Sequence, residues 1–175
     1  MLKSIAIAVV VGVAAVLVFA ATRPDDFRVQ RSIVVKAAPE RILPLIVDFR
    51  RWSEWSPYEK LDPAMKRVHA GAPSGVGANY EWEGNSKAGA GRMEIKEVQA
   101  PSKVTIQLDF RKPVEGRNVA EFALEPRAGG TEVIWSMRGP SPYVMKLMGI
   151  FVNLDRMIGS DFETGLSNLK AVAER

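Results

Sequence analysis

The sequence predicts an α+β fold: a curved antiparallel sheet of about seven strands gripping a long C-terminal helix, with two short helices after strand 1 and an N-terminal transmembrane helix in front. Three patterns predict it. Residues 4–21 form an uncharged, almost wholly apolar run. Between residues 65 and 138 the chain alternates apolar and polar residues in short segments separated by turn residues, the period of two of half-buried strands. Leu154, Ile158, Phe162, Leu166, Leu169 and Ala173 then recur every three or four residues, the stripe of a helix with one buried face.

The first run, as a helix, is roughly 27 Å long, close to the thickness of a hydrocarbon core. Lys3 precedes it, and Arg23 behind it is followed by Asp25 and Asp26. The positive-inside bias therefore puts the N-terminus in the cytoplasm and the rest of the chain outside. Residues 1–23 are read as a single-pass membrane anchor. The alternative is a signal segment whose removal releases a secreted or periplasmic protein, although Val18 fits poorly three residues before the best cut, after Ala20. Residues 24–175 are of a size suited to one domain.

Phe27, Val29, Ile33 and Val35 share one face of the first strand, opposite Arg28, Gln30 and Ser32. Pro39 opens a helix whose stripe is Ile42, Leu43, Leu45, Ile46 and Phe49. Residues 51–57 make a second short helix or turn ended by Pro57; Trp52 and Trp55 are read as pointing apart, one packing the helices on the sheet and the other bordering a cavity mouth. Strands follow at residues 65–69, 79–84, 92–98, 104–111, 117–125 and 132–138, with connections short enough for hairpins. Ser141-Pro142 starts the helical C-terminal region, and Gly149 or Gly159 is the expected break in it.

Composition narrows the chemistry. There is no cysteine and one histidine, His69, which leaves no thiolate nucleophile and no multi-histidine metal site. The net charge of +4 is spread over interleaved acids and bases, without the basic block of a nucleic-acid-binding protein. No GxSxG elbow, phosphate-binding loop or dinucleotide motif is present, so no metal and no cofactor are expected. Asp155 and Arg156 are read as a surface ion pair, and His69 as a surface or core residue.

The stretches APERILPLIVDFRRWSEWSP (38–57), GVGANYEWEGN (75–85) and LDRMIGSDFETGLSNLKAVAE (154–174) resemble the SRPBCC superfamily, also called START-like or helix-grip, and within it the polyketide cyclase/dehydrase-like group. The resemblance covers the chain after residue 26. It implies a cavity between the curved sheet and the C-terminal helix that holds an apolar small molecule.

Alternation puts Tyr80, Trp82, Met93, Phe110, Trp135 and Met137 on the concave face. With Trp55, Met148 and Phe151 they form the expected ligand-binding set, aromatic and thioether groups being adaptable cavity linings. The same residue types more often fill a core, and that reading stands beside the first. The inner face is nearly free of acids and bases, which argues against catalysis without excluding it; Tyr80 is a weak candidate for a catalytic hydroxyl. The expected function is a membrane-tethered binding or carrier protein for an apolar small molecule, a lipid or a polyketide-like compound, with the membrane reached through the N-terminal helix. The alternatives are a cyclase/dehydratase-like enzyme and an interaction or sensory module with no ligand.

Overall fold

The computed structural model describes residues 2–175. Among these residues the chain forms α1 (Leu2–Ala21), β1 (Asp26–Val35), α2 (Pro39–Val47), 3-10 helices at Phe49–Glu54 and Pro57–Lys60, and then six strands in succession. These are β2 (Lys66–Gly71), β3 (Ala78–Glu83), β4 (Ala90–Gln99), β5 (Lys103–Lys112), β6 (Gly116–Arg127) and β7 (Gly130–Pro140). Two helices, α3 (Tyr143–Phe151) and α4 (Leu154–Ala173), complete it. The predicted α+β architecture is therefore the observed one.

Short turns leave consecutive strands no partner but each other, so β2 to β7 form an antiparallel meander. β1 pairs along β7, from Asp26 opposite Pro140 to Val35 opposite Thr131. The order is β1-β7-β6-β5-β4-β3-β2, and the segment from α2 to the second 3-10 helix carries the chain from one edge strand to the other. The register gathers the start of β1, the end of β7, the start of β6 and the end of β5 at one end of the sheet. The chain joins α1 and α3 to that end, which is called the α1 end below.

The C-terminal helical region breaks at neither glycine. It breaks at Val152-Asn153, where the Asn153 side chain accepts the backbone N–H of Arg156 at 2.9 Å and caps α4. From that point α4 turns Phe162, Leu166, Leu169 and Ala173 into the core, as the stripe predicts. Gly165 lets the helix approach the sheet closely: a Cβ there would fall 2.7 Å from the Trp135 ring.

A charged residue braces the same contact. Arg31 lies on the inner side of β1 with Val29 and Ile33, and its Nε donates to Glu163 at 2.7 Å. Its terminal nitrogens donate to the Asp155 carboxylate at 3.1 and 3.2 Å and to the Asp155 carbonyl at 3.0 Å. Gly159 leaves room for the guanidinium, since a Cβ there would fall 2.0 Å from Nη2. Asp155 therefore pairs with a residue 124 positions earlier, in place of the expected pair with Arg156.

The Trp52 and Trp55 reading is corrected. Three residues per turn bring positions i and i+3 to one side of a 3-10 helix, and both indoles are buried with centroids 4.9 Å apart.

Two outcomes are expected. Phe162→Ala should cost about 3–5 kcal/mol in urea denaturation, the range for removing a fully buried aromatic ring. The hydrogen bond from Arg31 holds the Asp155 carboxyl below its usual range. Its contribution is complete above the ordinary aspartate value and fades as pH falls through the lowered one. Solvent screens an aspartate that is 60% exposed, so Asp155→Asn should lose less than about 1 kcal/mol at pH 7. Denaturation curves of the variant and the parent should converge in acid.

Candidate functional site

The inner face of the sheet is sealed at one end and looser at the other. Val35, Ile95, Val104, Ile106, Phe122 and Val133, towards the end remote from α1, are 0% exposed. Towards the α1 end, Leu108 and Trp82 are 9% exposed and Met93 8%, and Phe27 and Phe110 are only partly buried, whereas Met137, level with Ile95 and Ile106, is 6% exposed. Asn118 lies at the same level of β6 and is 6% exposed.

Aromatic rings close the sealed half. Trp135 stacks on Phe162 with centroids 4.0 Å apart and on Phe122 at 5.0 Å. Trp55 meets Trp135 edge-on at 5.6 Å and Phe122 at 6.0 Å. A cavity running the whole length of α4 is thus absent from this half of the fold, because indole and phenyl rings occupy the space. Trp55, 0% exposed, belongs to this block.

Three of the four indoles spend their N–H on a backbone carbonyl. Trp52 donates to Ile46, Trp55 to Leu45 and Trp82 to Ala88, each within 3.0 Å. The Trp135 Nε1 is buried without a hydrogen-bond partner among the described residues. Such a donor costs about 1–3 kcal/mol when left unmet. Tyr58 meets this ring edge-on at 6.3 Å and pairs with Asp161, two titratable groups on which sequence reasoning placed no role. Burial raises the Tyr58 hydroxyl, with the Asp161 charge adding to the effect, and burial raises the Asp161 carboxyl. Asp161 follows Ile158 by three residues, so it belongs to the buried side of α4 although its residue type hides it in a stripe of apolar residues.

Tyr80 is buried on the inner face, and its hydroxyl donates to Glu59 at 2.5 Å. The other Glu59 oxygen accepts Arg67 Nε at 2.7 Å, and the His69 ring lies 4.9 Å from that of Tyr80. Burial first, and then the Glu59 hydrogen bond, push the Tyr80 hydroxyl well above its ordinary range. It remains protonated at neutral pH and acts as a donor, unsuited to proton abstraction. The cluster borders an outer cleft of about 270 Å³ that Arg50, Lys60 and His69 also line. Glu59 carried no sequence signal, and only the fold brings it against Tyr80 of β3.

The predicted set divides three ways. Trp82, Met93 and Phe110 lie at the looser end, Met137 lies level with the sealed Ile95 and Ile106, and Trp135 is one step deeper on β7. Trp55 and the Tyr80 hydroxyl are engaged elsewhere, as described. Met148 and Phe151 are exposed on α3, and Phe151 lines a groove between α3 and α1 instead of the space under α4. Among the described residues, no three histidine, aspartate or glutamate side chains are grouped as metal ligands.

The family model for polyketide cyclase/dehydrase and lipid transport matches residues 26–174. The chain belongs to this family. Its members are associated with binding of apolar small molecules or with cyclase-like function. No curated relative matches the sequence. Among solved structures, protein CV1439 from Chromobacterium violaceum is similar at 16% identity and TM-score 0.60, over 87% of this chain and 99% of that one. The Aha1 dimer from Colwellia psychrerythraea is similar at 15% identity and TM-score 0.60, over 85% and 96%. The di-domain ARO/CYC StfQ of the steffimycin biosynthetic pathway has 12% identity and TM-score 0.66, over 85% of this chain and 51% of its own length. Identities this low make the likeness one of fold.

Tyr80→Phe removes the donor to a nearly buried carboxylate while keeping the ring. It should cost about 1–3 kcal/mol in urea denaturation, with the far-ultraviolet circular dichroism unchanged.

Proposed function

We propose that the protein is a membrane-tethered binding or carrier protein for an apolar small molecule, a lipid or polyketide-like compound, taken up at the α1 end of the concave face. The observation that carries this reading is the gradient of burial along that face: complete at Val35, Val104, Phe122 and Val133 towards the remote end, residual at Trp82, Met93 and Leu108 towards the α1 end. Thioether and aromatic side chains repack around irregular apolar shapes, which suits a ligand site and not only a core. The family description, which includes lipid transport, agrees with this ligand class. Tethering rests on α1, which is long and apolar enough to cross a membrane and is almost entirely unburied. The mouth and the anchor share one end of the sheet, so the ligand passes between bilayer and protein over a short path.

The aromatic block beneath α4 supports a second reading, an interaction module with no ligand. Native mass spectrometry of the full chain extracted from membranes separates the two. A carrier retains an apolar adduct and binds an apolar dye that the adduct displaces; an interaction module does neither. Phe110 is only partly buried, so Phe110→Asp should be tolerated by the fold. A carboxylate at the mouth should weaken dye binding by about tenfold or more. Unchanged binding in a folded variant would remove the mouth from the reading.

A further inference from the structure

The helix α3 is apolar nearly all round, yet none of its residues is buried. Phe151 is 76% exposed and Val144 61%. Tyr143, Met148 and Val152 belong to the same exposed surface, which ends at the exposed Asn153, Asp155 and Arg156 that begin α4. One charge interrupts residues 143–152, and it is turned away: the Lys146 side chain is 9% exposed and its Nζ donates to Asp25 at 2.5 Å. Surfaces of this kind are rare on proteins surrounded by water alone and mark a contact.

The neighbour of α3 identifies the contact. The Tyr143 hydroxyl donates to the Leu17 carbonyl of α1 at 2.9 Å. Leu147 and Phe151 face Val9, Gly12 and Val16 across an apolar groove of about 450 Å³, so α3 runs back along α1. Whatever medium surrounds the middle of α1 therefore also surrounds α3. From Ser4 of α1 to Val152 the exposed surfaces of the two helices carry no charge except the nearly buried Lys146, and a phenol at the start of α3 suits the water boundary.

We infer that α3 is a second membrane-contacting element: it lies in the apolar phase of the bilayer beside α1, and the groove between the helices is filled by a lipid acyl chain. This rests on the proposed anchoring by α1. It adds that the segment linking the last strand to α4 is itself held in lipid, so the bilayer reaches the mouth of the concave face. Exposed Val144 and Phe151 then cost nothing in hydration, because they exchange lipid for lipid. Lys146 has its charge withdrawn because an ammonium group in that phase is expensive.

The chain contains no cysteine, so single introduced cysteines label cleanly. Full-length Val10→Cys, Val144→Cys, Phe151→Cys and Ser74→Cys, each carrying a nitroxide, are reconstituted in phosphatidylcholine/phosphatidylglycerol vesicles. Collision with oxygen, which concentrates in lipid, is compared with collision with a water-soluble nickel chelate. Val10 reports α1 and Ser74 reports the remote end of the sheet. Oxygen should dominate at Val10, Val144 and Phe151, and the ratio should invert at Ser74. If Val10 is in lipid while either α3 position follows Ser74, the inference fails and the anchor stands. If all four positions are water-accessible, the anchor fails and the inference with it. If Val144 and Phe151 are shielded from both reagents, a second protein surface covers α3 and the inference is overturned.

Discussion

The face-to-face stack of Trp135 on Phe162, with centroids 4.0 Å apart and planes 6° from parallel, holds α4 against the sheet, and most of the architecture follows from it. Gly165 permits the approach by leaving no Cβ in the way of the indole. With the helix pinned there, Trp52, Trp55 and Phe122 fill the remaining volume as edge-on and stacked neighbours of Trp135. The fold is thereby solid from the middle of α4 to its C-terminus. Arg31, held by Asp155 and Glu163, braces the first turns of the helix from the side and not from beneath. The α1 end of the concave face is left with a thioether, an indole and a partly buried phenyl ring instead of helix packing.

That asymmetry joins two features that are separate in the chain. The looser end of the inner face and the two exposed apolar helices lie at the same end because β1 begins, and β7 ends, where α1 and α3 attach. On the proposed reading, in which α1 is an anchor and the concave face takes an apolar ligand, bringing the two to one end would shorten the aqueous path between them. The remote end carries the tight turns and surface ion pairs suited to water, such as Arg127 with Glu125 and Glu132.

Much of the fold was legible because burial on one face imposes a period. Val104, Ile106 and Leu108 alternate with Thr105 and Gln107, and the register of β5 carries the former inward. Leu166 and Leu169 follow the helical stripe into the core. The site was less legible. Periodicity says which face a residue occupies, not whether the facing volume is filled, so Trp55 and Trp82 looked equivalent although one is sealed in the aromatic block and the other lies at the less buried α1 end of the inner face. Met148 and Phe151 read as lining because they are large and apolar, and their helix turned to α1 instead.

The sequence by itself determined the α+β order of elements, the antiparallel pairing of short hairpins and the apolar N-terminal helix. Those properties depend on local periods and residue chemistry. Only the tertiary structure decided how far α4 stands from the sheet, that Tyr80 meets Glu59, that Arg31 meets Asp155, and that α3 lies along α1. Each is a contact between residues far apart in the chain, set by the volumes of the side chains between them, and no local pattern encodes that distance.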